Sequence, residues 1–381
     1  MRLSMISAAL VAALVGYGST IALVLAAAAA VQASPEQTAS WVLAICFAKA
    51  FGSALLSYTN KVPVVLAWST PGAALIAATE GVTMPQAVAA FLLASLLITL
   101  TATLRPLSRA VAAIPDGIAA AMLAGVLFPF CIKGMEASKL APTLVLPMVG
   151  LFLLVRLRNP AVAVLAALSL GLVLAFTIGG ATLPALSLAA PAPVLILPEW
   201  STGVLIGLGL PLYLVTMASQ NLPGFATMRA HGFAPPVTQA LAVSGGISTI
   251  SAFFGAHTVN MAAITAAICM GDDVHPDRSQ RWKVGLAYAG VWVLLGLFSP
   301  AILTLLSALP PEVMGALVAL ALLGPLMGAL TGAFVPAETR FAATMTVAVT
   351  ASGIAAFGIG AAFWGLAAGL AVWMLERVAK R

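Results

Sequence analysis

The sequence predicts an all-α membrane protein of about fourteen transmembrane segments, arranged as two inverted repeats of seven. Three observations carry that expectation: a composition too apolar for a water-facing surface, apolar blocks of membrane-spanning length, and basic loops that fall on one side. Hydrophobic residues make up 62% of the 381 positions and charged residues 7%, where a soluble domain carries about 25% charged residues. The blocks run to roughly twenty residues, enough to cross about 30 Å of hydrocarbon as a helix. Short stretches between them hold nearly all the charge, which leaves no room for a separate extramembrane domain.

In chain order the apolar runs lie near 5–31, 38–58, 64–80, 84–104, 110–131, 141–156, 160–178, 200–219, 235–253, 256–271, 281–299, 312–331, 339–357 and 359–376. The first resembles a signal peptide superficially, but the length of its apolar run, Gly16, Gly18 and the many spans that follow read as a first transmembrane helix. The loops test the order, because Lys and Arg gather on the cytoplasmic side. With the N-terminus inside, the cytoplasmic set is Arg2, Lys61, Arg105, Arg109, Arg156, Arg158, Arg229, Arg278, Arg281, Lys283, Arg340, Arg377, Lys380 and Arg381. Only Lys133 and Lys139 fall outside, and Lys49 lies within a span. A segment missed midway would move every later loop to the other side, so both termini are expected to be cytoplasmic. The net charge of +6 thus belongs to membrane topology and does not call for nucleic acid.

Thr182 to Pro198, rich in Pro and free of Lys and Arg, separates a first repeat (1–181) from a second (200–381) through a linker at 182–199. Seven being odd, the second repeat must run upside down, an arrangement common in secondary transporters. Segments three (AWSTPGAALIAATEG, Ala67 to Gly81) and ten (GAHTVNMAAITAAICMG, Gly255 to Gly271) read as two half-helices. Ser69 and Thr70 suit an N-cap and Pro71 a first helical turn. Val62 to Trp68, β-branched and Pro-containing, suits an extended approach, and Thr249 to His257 supplies a second irregular approach before Thr258. Irregular backbone at membrane depth is tolerated where it is buried in protein or lines a cavity. Two half-helix starts facing one pocket would hold an anion through their N–H groups and dipoles. The alternative for STPG is a span kinked at a Pro hinge.

Segment eight is expected to end at SQNLPG (Ser219 to Gly224), after Tyr213 and Thr216. Gln220 offers uncharged donors and acceptors to a ligand; Asn221 reads either as a ligand or as part of a turn before Pro223. Ionisable groups within spans are costly and usually mark function. His257 is a candidate proton acceptor or a packing histidine. Lys49 either balances a substrate charge or snorkels to an interface. His231 and His275 belong to solvated loops. Asp272, Asp273 and Asp277 with His275 read as a solvated turn rather than a metal site. Cys46, Cys131 and Cys269 sit in apolar runs without ligand spacing. No catalytic constellation, cofactor motif or metal motif is present in the sequence, which excludes the common enzyme classes.

SQNLPGFATMRAHGF (Ser219 to Phe233), FFGAHTVNMAAITAAICMG (Phe253 to Gly271) and AWSTPGAALIA (Ala67 to Ala77) resemble the benzoate/proton symporter family, the BenE-type benzoate membrane transport proteins, within the group that shares the uracil-transporter fold. The resemblance covers the whole chain. It implies a bacterial inner-membrane protein with a core domain (segments one to four and eight to eleven) and a gate domain (five to seven and twelve to fourteen). It further implies proton-coupled uptake of a small aromatic carboxylate bound between segments three and ten, and a possible homodimer. Where proton-coupled nucleobase relatives carry glutamates in segments eight and ten, this chain has Gln220 and the stretch Ala256, His257, Thr258, with no carboxylate. The expected substrate-binding residues are Ser69, Thr70, Gly72, Tyr213, Gln220, Asn221, His257, Thr258 and Asn260, and His257 and Lys49 are the proton-coupling candidates. A permease for nucleobases or other organic anions, or an anion channel, would use the same fold.

Overall fold

The computed structural model describes residues 2–104, 114–186, 191–262 and 264–379. Arg105, Arg109, Lys380 and Arg381 from the charge argument, the start of the fifth expected segment and part of the expected linker lie outside the described residues.

Helices α1 (Leu3–Gly18) and α2 (Ile21–Ala30) form one run interrupted at Ser19 and Thr20. α3 (Pro35–Asn60) opens with a capping box, in which Ser34 Oγ accepts from the Gln37 N–H and the Gln37 side chain accepts from the Ser34 N–H. The chain then extends as β1 (Leu66–Trp68), turns into α4 (Thr70–Ala77) and continues through α5 (Met84–Thr103). α6 (Asp116–Leu140), α7 (Pro142–Arg158) and α8 (Ala163–Thr177) follow. α9 (Thr202–Ala230) is a long helix, succeeded by α10 (Val237–Ala252), β2 (Val259–Met261) and α11 (Ile264–Ile268). α12 (Lys283–Leu297) bends by 57° into α13 (Ser299–Ser307), and α14 (Pro311–Phe334), α15 (Arg340–Ala351) and α16 (Ala361–Ala379) complete the chain.

By length and apolar composition, seven helical runs among the described residues suffice to cross a bilayer, or eight if the bent pair counts as one. Phe51, Leu154, Val173, Ile250, Leu294 and Leu375 stand exposed on the outside, a surface suited to lipid. Inside, α3 packs on α12 and α5 on α10; in the other half of the molecule α6 packs on α14, α7 on α8 and α15 on α16.

The structure departs from the sequence reading in three places. The chain is not purely helical, because β1 and β2 pair antiparallel with Leu66 opposite Met261, Ala67 opposite Asn260 and Trp68 opposite Val259. The helix of the tenth expected segment does not start at Thr258: the backbone stays extended through Met261 and becomes helical at Ile264. Nor does a helix end at Ser219–Gly224. α9 passes through that stretch by widening into a π turn at Met217–Asn221, with the Leu222 N–H reaching the Met217 carbonyl five residues back.

A second π turn, Leu205–Gly209, has the same form. Each ends two residues before a proline, Pro211 or Pro223. Proline has no N–H for the carbonyl four residues back, and its ring crowds that carbonyl, here Gly207 or Ser219. Widening the turn relieves the clash and lets the helix continue.

Candidate functional site

The centre of the molecule is the crossing of β1 and β2, and its backbone is held by side chains from the surrounding helices. The first N–H of each strand is satisfied by a serine: Ser53 Oγ accepts from Leu66 N at 3.0 Å, and Ser248 Oγ from Val259 N at 2.8 Å. The Tyr288 hydroxyl donates to the Leu66 carbonyl at 3.0 Å, and Asn221 Oδ1 accepts from Met261 N at 2.9 Å. Buried backbone groups left without partners cost roughly 1–3 kcal/mol each. These polar residues on otherwise apolar helices thus make short strands possible inside the protein.

Ser69 joins the two elements. Its hydroxyl caps α4 by accepting from Gly72 N at 3.1 Å and accepts from Thr216 Oγ1 at 3.1 Å, while Thr216 and Thr258 share a 2.9 Å bond. Its N–H meets the Thr258 carbonyl at 3.1 Å, and the Asn260 amide, oriented with its oxygen toward that N–H, lies 3.0 Å away. The first turn of α4 is therefore not a cradle of bare amides. Pro71 has no N–H, Gly72 is taken by Ser69, and Ala73 bonds the Ser69 carbonyl. Only Thr70 keeps an amide without an acceptor among the described residues. Gly72 is required by close approach: a β-carbon there would sit 2.6 Å from Leu212 Cδ1 and 2.7 Å from Ser69 Oγ.

A cavity of about 830 Å³ lies against this crossing, within the ~300–1,000 Å³ range of small-molecule sites. One wall is formed by Gly16 and Thr20, by Trp68, Thr70 and Pro71, and by Ser219 and Gln220 of the π turn. The opposite wall comes from α6, α7 and α14, with Asp116 and Arg156 among its lining residues. Most of the lining is apolar. Thr70, which shares a 3.0 Å bond with Thr20, and the half-buried Gln220 and Ser219 supply its polar groups beside the crossing.

Of the expected binding residues, the structure brings Thr70 and Gln220 to the cavity. Ser69, Gly72, Asn221, His257, Thr258 and Asn260 are buried behind its wall, where they build the crossing. Tyr213 is set apart: it is not among the lining residues, and its hydroxyl bonds Thr101 Oγ1 of α5 at 2.6 Å. Tyr213→Phe is accordingly expected to cost about 1 kcal/mol of stability and to leave the KM for transport within roughly twofold, as measured by thermal unfolding and initial uptake rates.

The proton-coupling candidates differ sharply in surroundings. Trp41 Nε1, which can only donate, meets His257 Nδ1 at 3.0 Å. Nδ1 is thus the acceptor, the neutral ring carries its hydrogen on Nε2, and a second proton would have to break the Trp41 bond. Lys49 is fully buried, with Nζ 2.9 Å from the Trp292 ring centroid and 3.8 Å from that of Trp68. It has no hydrogen-bond partner among the described residues. It does not snorkel to an interface.

Sequence reasoning missed the wall contributed by α14. Gly324, Gly328 and Gly332 all line the cavity, and their spacing of four places them on one helical face. That stripe was a usable signal. Around the acidic loop, Arg281 bonds the Asp272 carboxylate and the Met270 and His275 carbonyls. The Ser279 hydroxyl holds the exposed Asp277 carboxyl below its usual range. Among the described residues no group of three or more His, Cys, Asp or Glu is arranged to hold a metal.

An exterior of exposed apolar side chains around an open-mouthed cavity, lined by two groups of helices, is the architecture of a membrane transporter. The chain belongs to the BenE family, benzoate membrane transport protein, whose model matches residues 1–375. It is 38% identical over 364 residues to the inner membrane protein YdcO of Escherichia coli K12, covering 95% of this chain and 93% of that one. It is 34% identical over 374 residues to the benzoate membrane transport protein of Acinetobacter baylyi, covering 98% and 95% respectively. Among solved structures, the transmembrane domain of a cyanobacterial bicarbonate transporter, BicA, superposes with a TM-score of 0.64 at 14% identity, over 97% of this chain and 98% of that one. The murine anion transporter Slc26a9 superposes with a TM-score of 0.62 at 14% identity, over 100% and 69%. These two likenesses concern the fold.

Proposed function

We propose that the protein is a secondary active transporter that carries benzoate or a similar small aromatic carboxylate, together with a proton, across the bacterial inner membrane. The observation that carries this reading is the cavity. Its apolar walls suit an aromatic ring, and its uncharged polar lining, Thr70, Ser219 and Gln220 with Ser19, Thr20 and Thr265, offers hydrogen bonds to a carboxylate. The family membership points the same way.

The proposed cycle is alternating access, with a core of α1–α5 and α9–α12 moving against a gate of α6–α8 and α14–α16, and the substrate carried between them. Support for fourteen segments in inverted repeats comes from the packing. Shifting each expected segment by seven exchanges α3 on α12 with α10 on α5, exchanges α7 on α8 with α15 on α16, and maps α6 on α14 onto itself. The serines that hold the first N–H of β1 and β2 are exchanged by the same shift. In this reading β1–α4 and β2–α11 are the half-helix elements of segments three and ten. α4 carries the dipole contribution, since α11 is only five residues long. Arg156 on the cavity wall belongs to the cytoplasmic set of basic residues, so the cavity opens inward in this state.

The test is uptake of radiolabelled benzoate into proteoliposomes with and without an inward proton gradient. Gradient-driven accumulation is expected. Gln220→Ala is expected to raise KM roughly tenfold to a hundredfold, the loss of one hydrogen bond to a charged group. Flux that equilibrates without accumulating would assign a channel, and uptake of a nucleobase with no response to benzoate would assign a permease of another specificity.

A further inference from the structure

We infer that Lys49 is the site of the coupled proton, and that its charge is linked to the bound anion across the Trp68 ring. The inference rests on the transport reading above and deepens it.

Lys49 sits in an aromatic box. Trp68 from β1 and Trp292 from α12 hold it between their rings, and Tyr17 from α1 and Tyr288 from α12 pack on those rings, with centroids of neighbouring pairs 5.3 to 5.9 Å apart. Three buried polar atoms in this box have no partner among the described residues: Lys49 Nζ, the Tyr17 hydroxyl and Trp292 Nε1. The titratable groups beside the ammonium are Cys46 on its own helix and His257, with Tyr17 and Tyr288 on the far rings of the box, and none is a carboxylate. The ion pairs among the described residues are Lys139 with Glu136 and Arg281 with Asp272, so Lys49 has no counter-ion among them.

What the protein lacks, the cavity supplies. Trp68 holds the Lys49 ammonium over its ring and is itself among the residues lining the cavity. Gly16, also on that wall, separates the cavity from Trp292 by a backbone without a side chain; a β-carbon there would lie 3.6 Å from the indole. Asp116 and Arg156 belong to the other wall, so an anion bound against Trp68 would bring a counter-charge to a buried ammonium held by ring faces. Binding the anion favours the protonated amine, and protonation favours binding the anion, by the same factor. The amine takes one proton with each substrate anion and returns it to water after the anion leaves, so the loaded core carries a compensated pair of charges.

The sign of the pH dependence follows. A benzoate carboxyl is ionised throughout neutral and alkaline pH, so rising pH removes the proton from Lys49 and weakens binding. Calorimetric titration of the purified protein with benzoate, in buffers of different ionisation enthalpy, is expected to show a dissociation constant that rises with pH and proton uptake on binding. Lys49→Met, which matches the apolar box, is expected to bind at least tenfold more weakly at pH 6, a loss of about 1.4 kcal/mol, with no proton uptake. Lys49→Arg, charged at every working pH, is expected to bind with pH-independent affinity and to lose gradient-driven accumulation in proteoliposomes. Wild-type affinity, proton uptake and pH dependence in Lys49→Met would overturn the inference while leaving benzoate transport standing. Absence of benzoate binding by the wild type would instead overturn the transport reading itself. If Lys49→Met proves unstable, the result for Lys49→Arg decides: retained gradient-driven accumulation overturns the assignment.

Discussion

Asn221→Leu is expected to cost about 2–3 kcal/mol of stability and to reduce transport at least tenfold. Leucine matches asparagine closely in shape, so the change tests chemistry rather than volume. Asn221 is fully buried, and its Oδ1 is the acceptor for Met261 N at the end of β2. Removing it leaves a backbone N–H without a partner in the interior, at a cost of roughly 1–3 kcal/mol. The strand has little slack to find another. Gly224, one turn along α9, already lies so close that a β-carbon there would sit 2.5 Å from Met261 Cβ. Because Asn221 and Gln220 share the π turn, a shift of β2 also moves the Gln220 amide at the cavity wall. Thermal unfolding in detergent and initial uptake rates measure the two effects separately. Wild-type values in both would mean that Met261 finds another acceptor and that the turn does not position the wall.

How far this was legible in the sequence depends on whether each signal was local. The start of α4 was readable from Ser69, Pro71 and Gly72, because a cap and a first-turn proline act within one helical turn. The extended approach at Leu66–Trp68 followed from β-branched residues and Pro63 before it. Its partner did not. β1 and β2 are almost two hundred positions apart, and Thr258, which looks like a cap beside His257, instead bonds Thr216 and accepts the Ser69 N–H through its carbonyl. Pro223 misled in the opposite sense. It signals a helix end, whereas α9 passes it by widening into a π turn whose last residue, Asn221, accepts from Met261 N. The choice between Lys49 and His257 was equally closed to sequence, since both are ionisable residues in apolar runs. Only the Trp41 bond and the aromatic box separate them.

Gly328→Phe is expected to abolish transport while leaving stability within about 1 kcal/mol of wild type. Most glycines of this chain that pack in the interior cannot accept a side chain, Gly72 and Gly224 among them. Gly324 and Gly328 differ, because a β-carbon at either meets nothing within 4 Å. Both lie on the α14 face that lines the cavity opposite Trp68, Thr70 and Gln220. A β-carbon there enters open space beside the cavity, which offers the ring about 830 Å³, and replacing the glycine relieves part of its helix-interior cost, about 1 kcal/mol relative to alanine. It occupies the volume assigned to the substrate ring and holds the two walls apart when the core must close on the gate. The effect should therefore grow with side-chain size from Ala to Leu to Phe, with uptake falling and the unfolding temperature nearly constant. Uptake indifferent to that series would place the substrate path elsewhere, whereas parallel losses of uptake and stability would mean that this face of α14 is packed against protein during the cycle rather than against the transported anion.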